Sequence, residues 1–311
     1  MYKKILLSSS LIATSLLANQ NIVPLATING NTGNVAPSGF LKMGIMNESC
    51  IKDRAYNGDT EVSDNKNRVM KTNVTKLKAK YGLGNSFEIR AIMTYKDKEF
   101  NSIHPVTKQS FINKNSGIGD SIVMGKYEIL NQKKGDSLFL SVGAGLKLPT
   151  GDTDKSFITP SGTNKFQVMQ LGSGSTDYLA EIALTKLLTN SRIDAHIIYT
   201  KTTKGDNNYQ FGDSLKWNIG YSYAITPKFG MQLELNGKNC GKHKNNGIDV
   251  DSTGGNFIYA IPGIHYKINK KYDFSAGYSY MIKRDSNFDS ATNTGGLSED
   301  NRVIFRLGIK F

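Results

Sequence analysis

The sequence has little cysteine and no long apolar segment beyond its first residues. Its 311 residues include only Cys50 and Cys240 as cysteines, which are too few for a disulfide framework or a four-ligand zinc site. After the N-terminus no run reaches the ~20 apolar residues that a membrane-spanning helix needs. These absences exclude a helical membrane protein and a disulfide-stapled small domain.

Glycine, aromatic residues and positive charge are abundant by contrast. The chain contains 31 Gly, 15 Tyr and 14 Phe, whereas disordered chains have few aromatic residues to bury. This composition favours β-structure. Lys and Arg number 39 against 26 Asp and Glu, so the formal net charge is +13.

The first residues have the form of a secretory signal peptide. Lys3 and Lys4 precede a short apolar run that ends at Ala18, as in an exported protein. We predict a signal peptide over residues 1–18 and a periplasmic N-terminal segment over residues 19–37. Because the mature chain would begin in an exported compartment, we expect no nucleic-acid partner despite the positive charge.

Alternation of apolar and polar residues recurs along the rest of the chain. In the last segment Val303, Phe305 and Leu307 alternate with Arg302 and Arg306, so one face of a strand would be apolar and the other cationic. Twelve segments show such a pattern near the length of a tilted membrane strand, about 9 to 11 residues. They are residues 38–47, 72–81, 86–95, 118–130, 137–147, 176–188, 192–201, 214–225, 228–237, 256–267, 271–282 and 301–311.

The connections between these segments alternate between short and long. Short connections follow the second, fourth, sixth, eighth and tenth segments, and the other six are long and polar. Outer-membrane barrels show this asymmetry, with tight periplasmic turns and long extracellular loops. We therefore predict an all-β fold: a closed antiparallel transmembrane barrel of about twelve strands over residues 38–311, located in the bacterial outer membrane after Sec-type export. A soluble periplasmic β-sandwich is the alternative.

The same alternation assigns charged side chains to the barrel lumen. Since neighbouring side chains point to opposite faces, the residues between apolar positions should face inward. The lumen candidates are Lys76, Lys78, Lys80, Glu88, Arg90, Lys126, Glu128, Lys147, Glu181, Arg192, Asp194, Lys216, Glu234, Arg302 and Arg306. Bases outnumber acids, which predicts a wet or plugged lumen with a modest anion preference. Alternatively, these charges form ladders that hold a narrow barrel shut.

The exterior and the last residue suggest two further partners. A barrel of this kind would be solvated by outer-membrane lipid. The terminal Phe311 ends an alternating strand, and it resembles the C-terminal signature that outer-membrane barrels present to the barrel assembly machinery.

Three glycine-containing stretches resemble a known family. Residues 116–127, 145–152 and 171–178 are similar to the transporter-like outer-membrane proteins of the "putative MetA-pathway of phenol degradation" family. The matching positions are Gly117, Gly119, Asp120, Leu148, Pro149, Thr150, Gly151, Asp152, Gly172, Gly174 and Asp177. The resemblance implies a barrel associated with passage of small organic compounds, aromatic ones or hydrocarbons among them. It does not imply phenol chemistry.

Residues 148–152 also allow a purely structural interpretation. Pro149 cannot donate to a strand ladder and Gly151 permits a turn, so this stretch can simply end a strand. Substrate contact is the other interpretation, and the structural one is favoured.

An outer-membrane phospholipase is the enzymatic alternative, since such a barrel has the same strand number and uses Ser, His and Asn. Here Asn245, not Ser, stands two residues after His243, so the nucleophile that such catalysis needs is missing. We expect no enzymatic activity and no cofactor.

The loop acids at 152, 154, 249 and 251 could bind Ca²⁺, but solvated acids are favoured and no metal is predicted. Cys50 and Cys240 both fall in predicted outer loops, and the sequence does not determine whether a disulfide bond joins them.

The sequence therefore predicts an outer-membrane channel or transporter for passive passage of small organic solutes, aromatic or anionic ones among them. A structural or surface-interaction barrel without solute flux is the second hypothesis. The solute, the openness of the lumen and the oligomeric state are not fixed by the sequence.

Overall fold

The structure is a computed structural model that describes residues 22–311. The predicted signal peptide, residues 1–18, lies outside the described residues. Twelve long strands form the main sheet, and we number them in chain order. They are β1 (Leu41–Asn57), β2 (Val69–Gly84), β3 (Phe87–Ile103), β4 (Ser121–Leu130), β5 (Phe139–Leu148), β6 (Asp177–Leu188), β7 (Ser191–Lys201), β8 (Ser214–Ala224), β9 (Phe229–Cys240), β10 (Gly255–Lys267), β11 (Tyr272–Ser286) and β12 (Leu297–Lys310).

Shorter elements lie in the connections between these strands. The short strands are Thr60–Val62, Ser110–Ile118, Phe157–Thr159, Gly162–Asn164, Tyr209–Gln210, His243–Asn245, Ile248–Val250, Phe288–Asp289 and Thr294–Gly295. Three 3-10 turns cover Gln132–Lys134, Gln167–Met169 and Asp206–Asn208. Among residues 22–311 no helix has the length and apolar character needed to cross a membrane.

The sheet closes on itself. Each long strand pairs antiparallel with the next one in the chain, and β12 pairs back with β1, where Lys42 lies opposite Lys310 and Glu48 opposite Ile304. Closure leaves no sheet edge with unpaired backbone groups, each of which would cost several kcal/mol in hydrocarbon. The predicted fold class, a closed antiparallel barrel of twelve strands, is confirmed.

The two ends of the barrel differ in their connections. At one end, which we call the short-turn end, neighbouring strands join through a few residues; between β6 and β7 the turn is Thr189–Asn190. Asn190 has φ +57°, a left-handed conformation that Asn adopts more readily than most residues. At the other end, the long-loop end, the connections contain all nine short strands. The predicted alternation of short and long connections is therefore present.

Several strands extend further toward the long-loop end than predicted, most of all β1 and β3. Strands β1, β2 and β3 contain 17, 16 and 17 residues, so much of the predicted loops 48–71 and 96–117 is paired strand. Beyond the hydrocarbon both faces of a strand can meet water, and polar residues such as Lys52, Lys96 and Lys98 then look like loop sequence. The strand Ser110–Ile118 continues this extension by pairing with β3.

The barrel is apolar on its outside and polar on its inside. Large apolar residues at alternating strand positions are exposed, including Ile89 at 43% and Phe305 at 48%. Between them, acidic residues such as Glu88, Glu234 and Asp194 are almost fully buried. A soluble protein has the opposite arrangement, so the exterior suits acyl chains rather than water.

Trp217, the single tryptophan of the chain, illustrates how the wall is packed. It lies on β8 directly opposite Gly237 of β9. A Cβ atom on Gly237 would lie 2.5 Å from Trp217 Cζ2, so the indole ring occupies the space above the glycine. Only a residue without a side chain allows this cross-strand contact.

Candidate functional site in the barrel lumen

The structure places the predicted lumen charges on the inner face of the wall, and many of them form ion pairs. One group joins β2, β3 and β6: Arg90 Nε lies 2.6 Å from Glu88 Oε1, and Arg90 Nη1 lies 3.0 Å from Glu181 Oε2. Lys80 Nζ lies 3.2 Å from the second oxygen of Glu88. Buried carboxylates of this kind are stable only when they are paired and hydrogen-bonded.

A second group lies on the neighbouring strands β12, β1 and β2, nearer the long-loop end. Glu48 of β1 pairs with Lys76 of β2 and with Arg302 of β12, whose Nη1 lies 2.5 Å from Glu48 Oε2. Arg302 also contacts Glu299, with Nη2 2.6 Å from Oε1. These contacts cross the seam where the barrel closes, so they help to join its first and last strands.

Arg192 and Asp194 form a third group on β7. Two guanidinium nitrogens of Arg192 lie 2.6 and 2.8 Å from the carboxylate oxygens of Asp194, and Thr185 Oγ1 donates to the same carboxylate at 2.6 Å. Such two-point contacts are strong and orient both groups. The first two groups join different strands, whereas Arg192 and Asp194 pair along one strand.

Residues 22–36, which we call the lumen strap, run through the barrel. Its backbone N–H groups donate to inward side chains of five strands, β3, β4, β6, β7 and β9. These bonds join Thr27 to Asp194 (3.4 Å), Ile28 to Gln232 (2.8 Å), Asn29 to Glu234 (3.2 Å), Asn31 to His196 (3.0 Å), Gly33 to Thr185 (2.9 Å), Val35 to Glu128 (3.2 Å) and Ala36 to Glu88 (2.6 Å).

Basic side chains bind the carbonyl groups of the same strap. Arg306 donates to Thr27 O at 3.0 Å and to Ala26 O at 3.1 Å, and Lys126 donates to Thr32 O. The strap has no strand partner of its own, so these side chains satisfy backbone groups that would otherwise be buried unpaired. Six of the predicted lumen residues, Glu88, Lys126, Glu128, Asp194, Glu234 and Arg306, thus serve to hold a peptide segment.

The position of the strap differs from the sequence prediction for residues 19–37. That segment was expected to be periplasmic, whereas its described part, from residue 22, lies inside the barrel near the short-turn end. The physical reason is the surplus of inward hydrogen-bonding groups, which an extended peptide satisfies through its backbone. Gly33 allows the close approach, since a Cβ atom there would lie 2.6 Å from the backbone nitrogen of Thr185.

The family-motif residues come together at the long-loop ends of β4, β5 and β6. The backbones of Gly151 and Gly172 cross so closely that a Cβ atom on Gly151 would lie 2.7 Å from Gly172 Cα. Asp120 accepts hydrogen bonds from Gly151 N (3.2 Å) and from Ser173 N (3.0 Å). Gly174, with φ +67°, lies against the next long loop, since a Cβ atom there would lie 2.7 Å from Asp206 N. We call this arrangement the motif cluster.

Lys147 joins the motif cluster to the lumen. Its Nζ lies 3.0 Å from Asp120 Oδ2 and 2.8 Å from Asp177 Oδ2. Thr150 Oγ1 donates to Gly119 O at 2.9 Å, and the N–H groups of Leu171 and Gly172 donate to Asp152 O at 3.0 Å. The cluster therefore fixes the loop that follows β5 against the wall. Gly117, with φ +152°, lies under Leu171, while Leu148 and Pro149 mark the end of β5.

Residues 166–173 of that loop fold into the lumen. Lys98 donates to Val168 O at 2.8 Å and to Gln170 O at 2.7 Å, and Lys96 donates to Leu171 O at 2.6 Å. Met169 is fully buried and packs with Phe157 and Met70. The loop thus narrows the lumen from the long-loop side, opposite the strap.

A cavity of about 560 Å³ lies between the strap and this loop. The strap residues Ala26, Ile28 and Thr32 contribute to one side, and Gln167 and Val168 contribute to the other. Ten basic residues line the cavity against two acidic ones, Asp120 and Asp177. The ten are Lys42, Lys78, Lys80, Arg90, Lys96, Lys98, Lys147, Lys216, Lys238 and Arg306.

Sequence reasoning missed four of these cavity bases. Lys42, Lys96, Lys98 and Lys238 were absent from the lumen candidates, the last three because they fell in predicted loops. The signal was present for Lys96 and Lys98, since both continue the inward register of Glu88 and Arg90 along β3. The strap left no comparable periodic signal, because an extended segment held by side chains has no strand partner.

Aromatic residues of two other loops meet at the rim of the cavity. The Tyr209 hydroxyl and His243 Nδ1 lie 2.7 Å apart, and Phe211 packs edge-on against both rings. Burial, and to a smaller extent the nearby charge of Lys238, lowers the pKa of His243 to about 4. The imidazole is therefore neutral at pH 7.

No Ser approaches His243 within its described contacts, so the phospholipase arrangement is not found there. Another Ser–His contact does occur: His265 Nδ1 and Ser275 Oγ lie 2.8 Å apart. Both residues are almost fully buried, and His265 Nε2 has no hydrogen-bond partner among the described residues. Among the described residues this pair therefore has no third group to orient the imidazole, as a catalytic triad requires.

Both cysteines lie in strands, and most of the acidic loop residues considered as metal ligands form ion pairs. Cys50 lies within β1 and Cys240 ends β9, not in outer loops as expected, and both thiols are free. The longer strands account for this difference. Within residues 22–311 no cluster of three or more His, Cys, Asp or Glu side chains could hold a metal ion. Asp154 and Asp251 instead pair with Lys165 and Lys242.

Comparison with solved structures supports the fold. The COG4313 outer membrane channel from Pseudomonas putida F1 is similar at 16% identity and a TM-score of 0.69, over 92% of this chain and 100% of that chain. The translocator domain of the autotransporter NalP from Neisseria meningitidis is 11% identical with a TM-score of 0.48, over 89% and 90% of the two chains. The latter likeness is too distant to carry weight.

Sequence comparison identifies the family. No curated protein matches this chain. The family described as "Putative MetA-pathway of phenol degradation" matches residues 52–288. The match includes β2 to β11 and all three stretches of the motif cluster. The chain therefore belongs to that family.

Proposed function

We propose that the protein is an outer-membrane channel through which small organic solutes pass passively. The observation that carries this proposal is the lumen: a closed barrel with an apolar exterior surrounds a charged interior that contains a cavity of about 560 Å³. Ligand cavities commonly have volumes of about 300 to 1,000 Å³. The similar fold of the COG4313 outer membrane channel agrees with this role.

We also propose that the lumen prefers anions. The cavity has ten basic and two acidic lining residues, and a passage lined by one sign of charge concentrates ions of the opposite sign. In planar bilayers containing the purified protein, a salt gradient should give a reversal potential toward the anion equilibrium potential. A reversal potential on the cation side would contradict this assignment.

Solute passage itself is tested with proteoliposomes. Full-length protein should let small neutral and anionic organic compounds enter vesicles faster than vesicles without protein do. Bilayers that remain silent, together with vesicles that show no added flux, would reject the channel.

The second candidate is a barrel without flux, and the lumen strap favours it. The strap hydrogen-bonds to side chains on five strands and occupies the short-turn half of the lumen. A channel would then conduct around the strap or after its displacement. Conductance measurements on variants of the strap distinguish a channel from a barrel without flux.

We propose that the chain is not an enzyme and that it reaches the outer membrane by export and assembly. Removal of residues 1–18 and recognition of Phe311 would supply these steps; Phe311 is exposed at 57% and its N–H donates to Leu41 O. Incubation with phospholipid should release no fatty acid. Cells expressing a Phe311→Ala variant should contain less folded barrel in the outer membrane than cells expressing a Tyr272→Ala control.

A further inference from the structure

We propose that the lumen cavity is a binding site for a small organic anion with an apolar body, such as an aromatic carboxylate. The inference deepens the proposed channel function, because the cavity would lie on the solute route. It depends on two cavity features, unneutralised positive charge and an apolar lining.

The charge is most evident at Lys216 of β8 and Lys238 of β9. These two residues lie directly opposite each other in the sheet, and both line the cavity. Among the described residues neither has a carboxylate within 4 Å, and residues 1–21 contain no Asp or Glu that could supply one. Like charges directly opposite across a strand pair are destabilising, so this pair has a cost for the fold.

Other cavity bases also have no carboxylate partner. Lys78 Nζ contacts Met46 Sδ at 3.2 Å, and Arg306 donates to strap carbonyls rather than to an acid. The remaining acids of the cavity, Asp120 and Asp177, are already bound to Lys147. An anion in the cavity would therefore meet positive charge that the protein does not neutralise.

The apolar part of the lining distinguishes an organic anion from an inorganic one. Ile92, Ile122, Met124, Leu179, Ile198 and Phe211 line the same cavity. Inorganic ions gain nothing from such surface, whereas a ring or short alkyl chain is stabilised by contact with it. Ligand sites typically combine an apolar lining with a few charged groups that orient the ligand.

Calorimetric titration of the full-length protein in detergent tests the site with three probes. Benzoate has both a ring and a carboxylate, benzyl alcohol has the ring without the charge, and acetate has the charge without the ring. We expect benzoate to bind at least tenfold more tightly than either of the others. Equal affinity for benzoate and benzyl alcohol, or for benzoate and acetate, would overturn the inference.

Substitution locates the charge that matters. A Lys216→Met/Lys238→Met variant keeps the length of both side chains and removes their repulsion, so it should fold. It should bind benzoate at least tenfold more weakly and benzyl alcohol unchanged. The matched control, Lys134→Met/Lys244→Met, removes the same charge at exposed positions outside the cavity and should bind benzoate as the unmodified protein does. Unchanged benzoate affinity in the cavity variant would reject the site.

Salt provides a test that needs no variant. Raising the NaCl concentration from 0.05 to 0.5 M should weaken benzoate binding severalfold and leave benzyl alcohol unaffected, because ions screen the charge contribution. Salt-independent benzoate binding would contradict the inference. Binding without vesicle flux would reject only the channel, and flux without binding would reject only the site.

Discussion

The two halves of the lumen solve the problem of inward charge in different ways. In the short-turn half, acids and bases occur together, and the strap joins them: Glu88 and Glu234 accept from its N–H groups, while Arg306 donates to its carbonyls. The cavity on the long-loop side has ten basic and two acidic lining residues, and among the described residues Lys78, Lys96, Lys98, Lys216 and Lys238 have no carboxylate within 4 Å. In the first half the protein itself neutralises the charge, whereas in the second we propose that an external anion does so.

The two halves of this inner surface therefore have different roles: one contributes to the stability of the fold, and the other to the proposed function. A buried charge that is paired and hydrogen-bonded contributes to a single defined structure, whereas an unpaired one is costly. The strap half has the arrangement expected of a structural plug. The cavity half has the arrangement expected of a binding site. Four perturbations test this division, and they follow from the largest expected effect to the smallest.

Deleting residues 24–34 should change the protein most. Removing this part of the strap empties the short-turn half, and water can then hydrate the inward side chains that the strap had bound. We expect single-channel conductance in planar bilayers to rise severalfold. Gly33→Leu should act in the same direction to a smaller extent, since its side chain would collide with the Thr185 backbone. Conductance unchanged in both variants would show that the strap does not limit the pore.

Reversing charge in the cavity should change selectivity. A Lys216→Glu/Lys238→Glu variant replaces two unpaired positive charges with negative ones, so the permeability ratio of anion to cation should fall severalfold. The reversal potential in a salt gradient measures this ratio. A Lys134→Glu/Lys244→Glu control, with the same change in net charge, should keep the original ratio. Equal shifts in both proteins would mean that net charge, not the cavity, sets selectivity.

Removing the carboxylate of Asp120 should loosen the motif cluster. Asp120→Ala leaves Lys147 with one acid and removes the acceptor for Gly151 N and Ser173 N. Loss of such charge-assisted bonds costs about 1 to 3 kcal/mol, and we expect faster proteolysis within residues 153–170. Asp154→Ala removes an exposed carboxylate of the same loop and provides the control. Identical cleavage rates would argue against the cluster as the anchor.

Acidification should loosen the rim cluster of Tyr209, Phe211 and His243, the smallest of the four effects. The pKa of His243 is about 4 in the structure and 6.5 in an unfolded chain, so the open state binds more protons between these values. The stabilisation is fully present above pH 6.5 and decreases as pH falls toward 4. Hydrogen exchange of residues 206–211 should accelerate over this range. A His243→Phe variant should remove the pH dependence; its persistence would point to another group.

The wall and the lumen differ in how far sequence could predict them. Alternation predicts an inward direction for Lys76, Arg90 and Arg302, because side-chain direction in a strand depends only on position along it. The partners of these residues were not predicted. Glu48 was assigned to a loop, and its contacts with Lys76 and Arg302 depend on which strands become neighbours at the seam.

The motif cluster shows the same limit from another direction. The family resemblance identified Gly151 and Gly172 as motif positions, and the end of a strand gave a reason for glycine only at position 151. The structure gives one reason for both glycines: their backbones, 21 positions apart in the chain, cross in close contact. A glycine needed for such a crossing looks, in sequence, like any glycine in a loop.

By itself the sequence determined the barrel: its strand number, its inward and outward faces and the alternation of short and long connections follow from period-2 patterning and from the need to pair every backbone group. Only the tertiary structure decided what fills the lumen. The strap, the inward loop and the cavity between them depend on contacts between distant segments, and no local periodicity encodes these contacts. The surplus of positive charge could be counted from the chain, but its concentration at one cavity is a property of the fold.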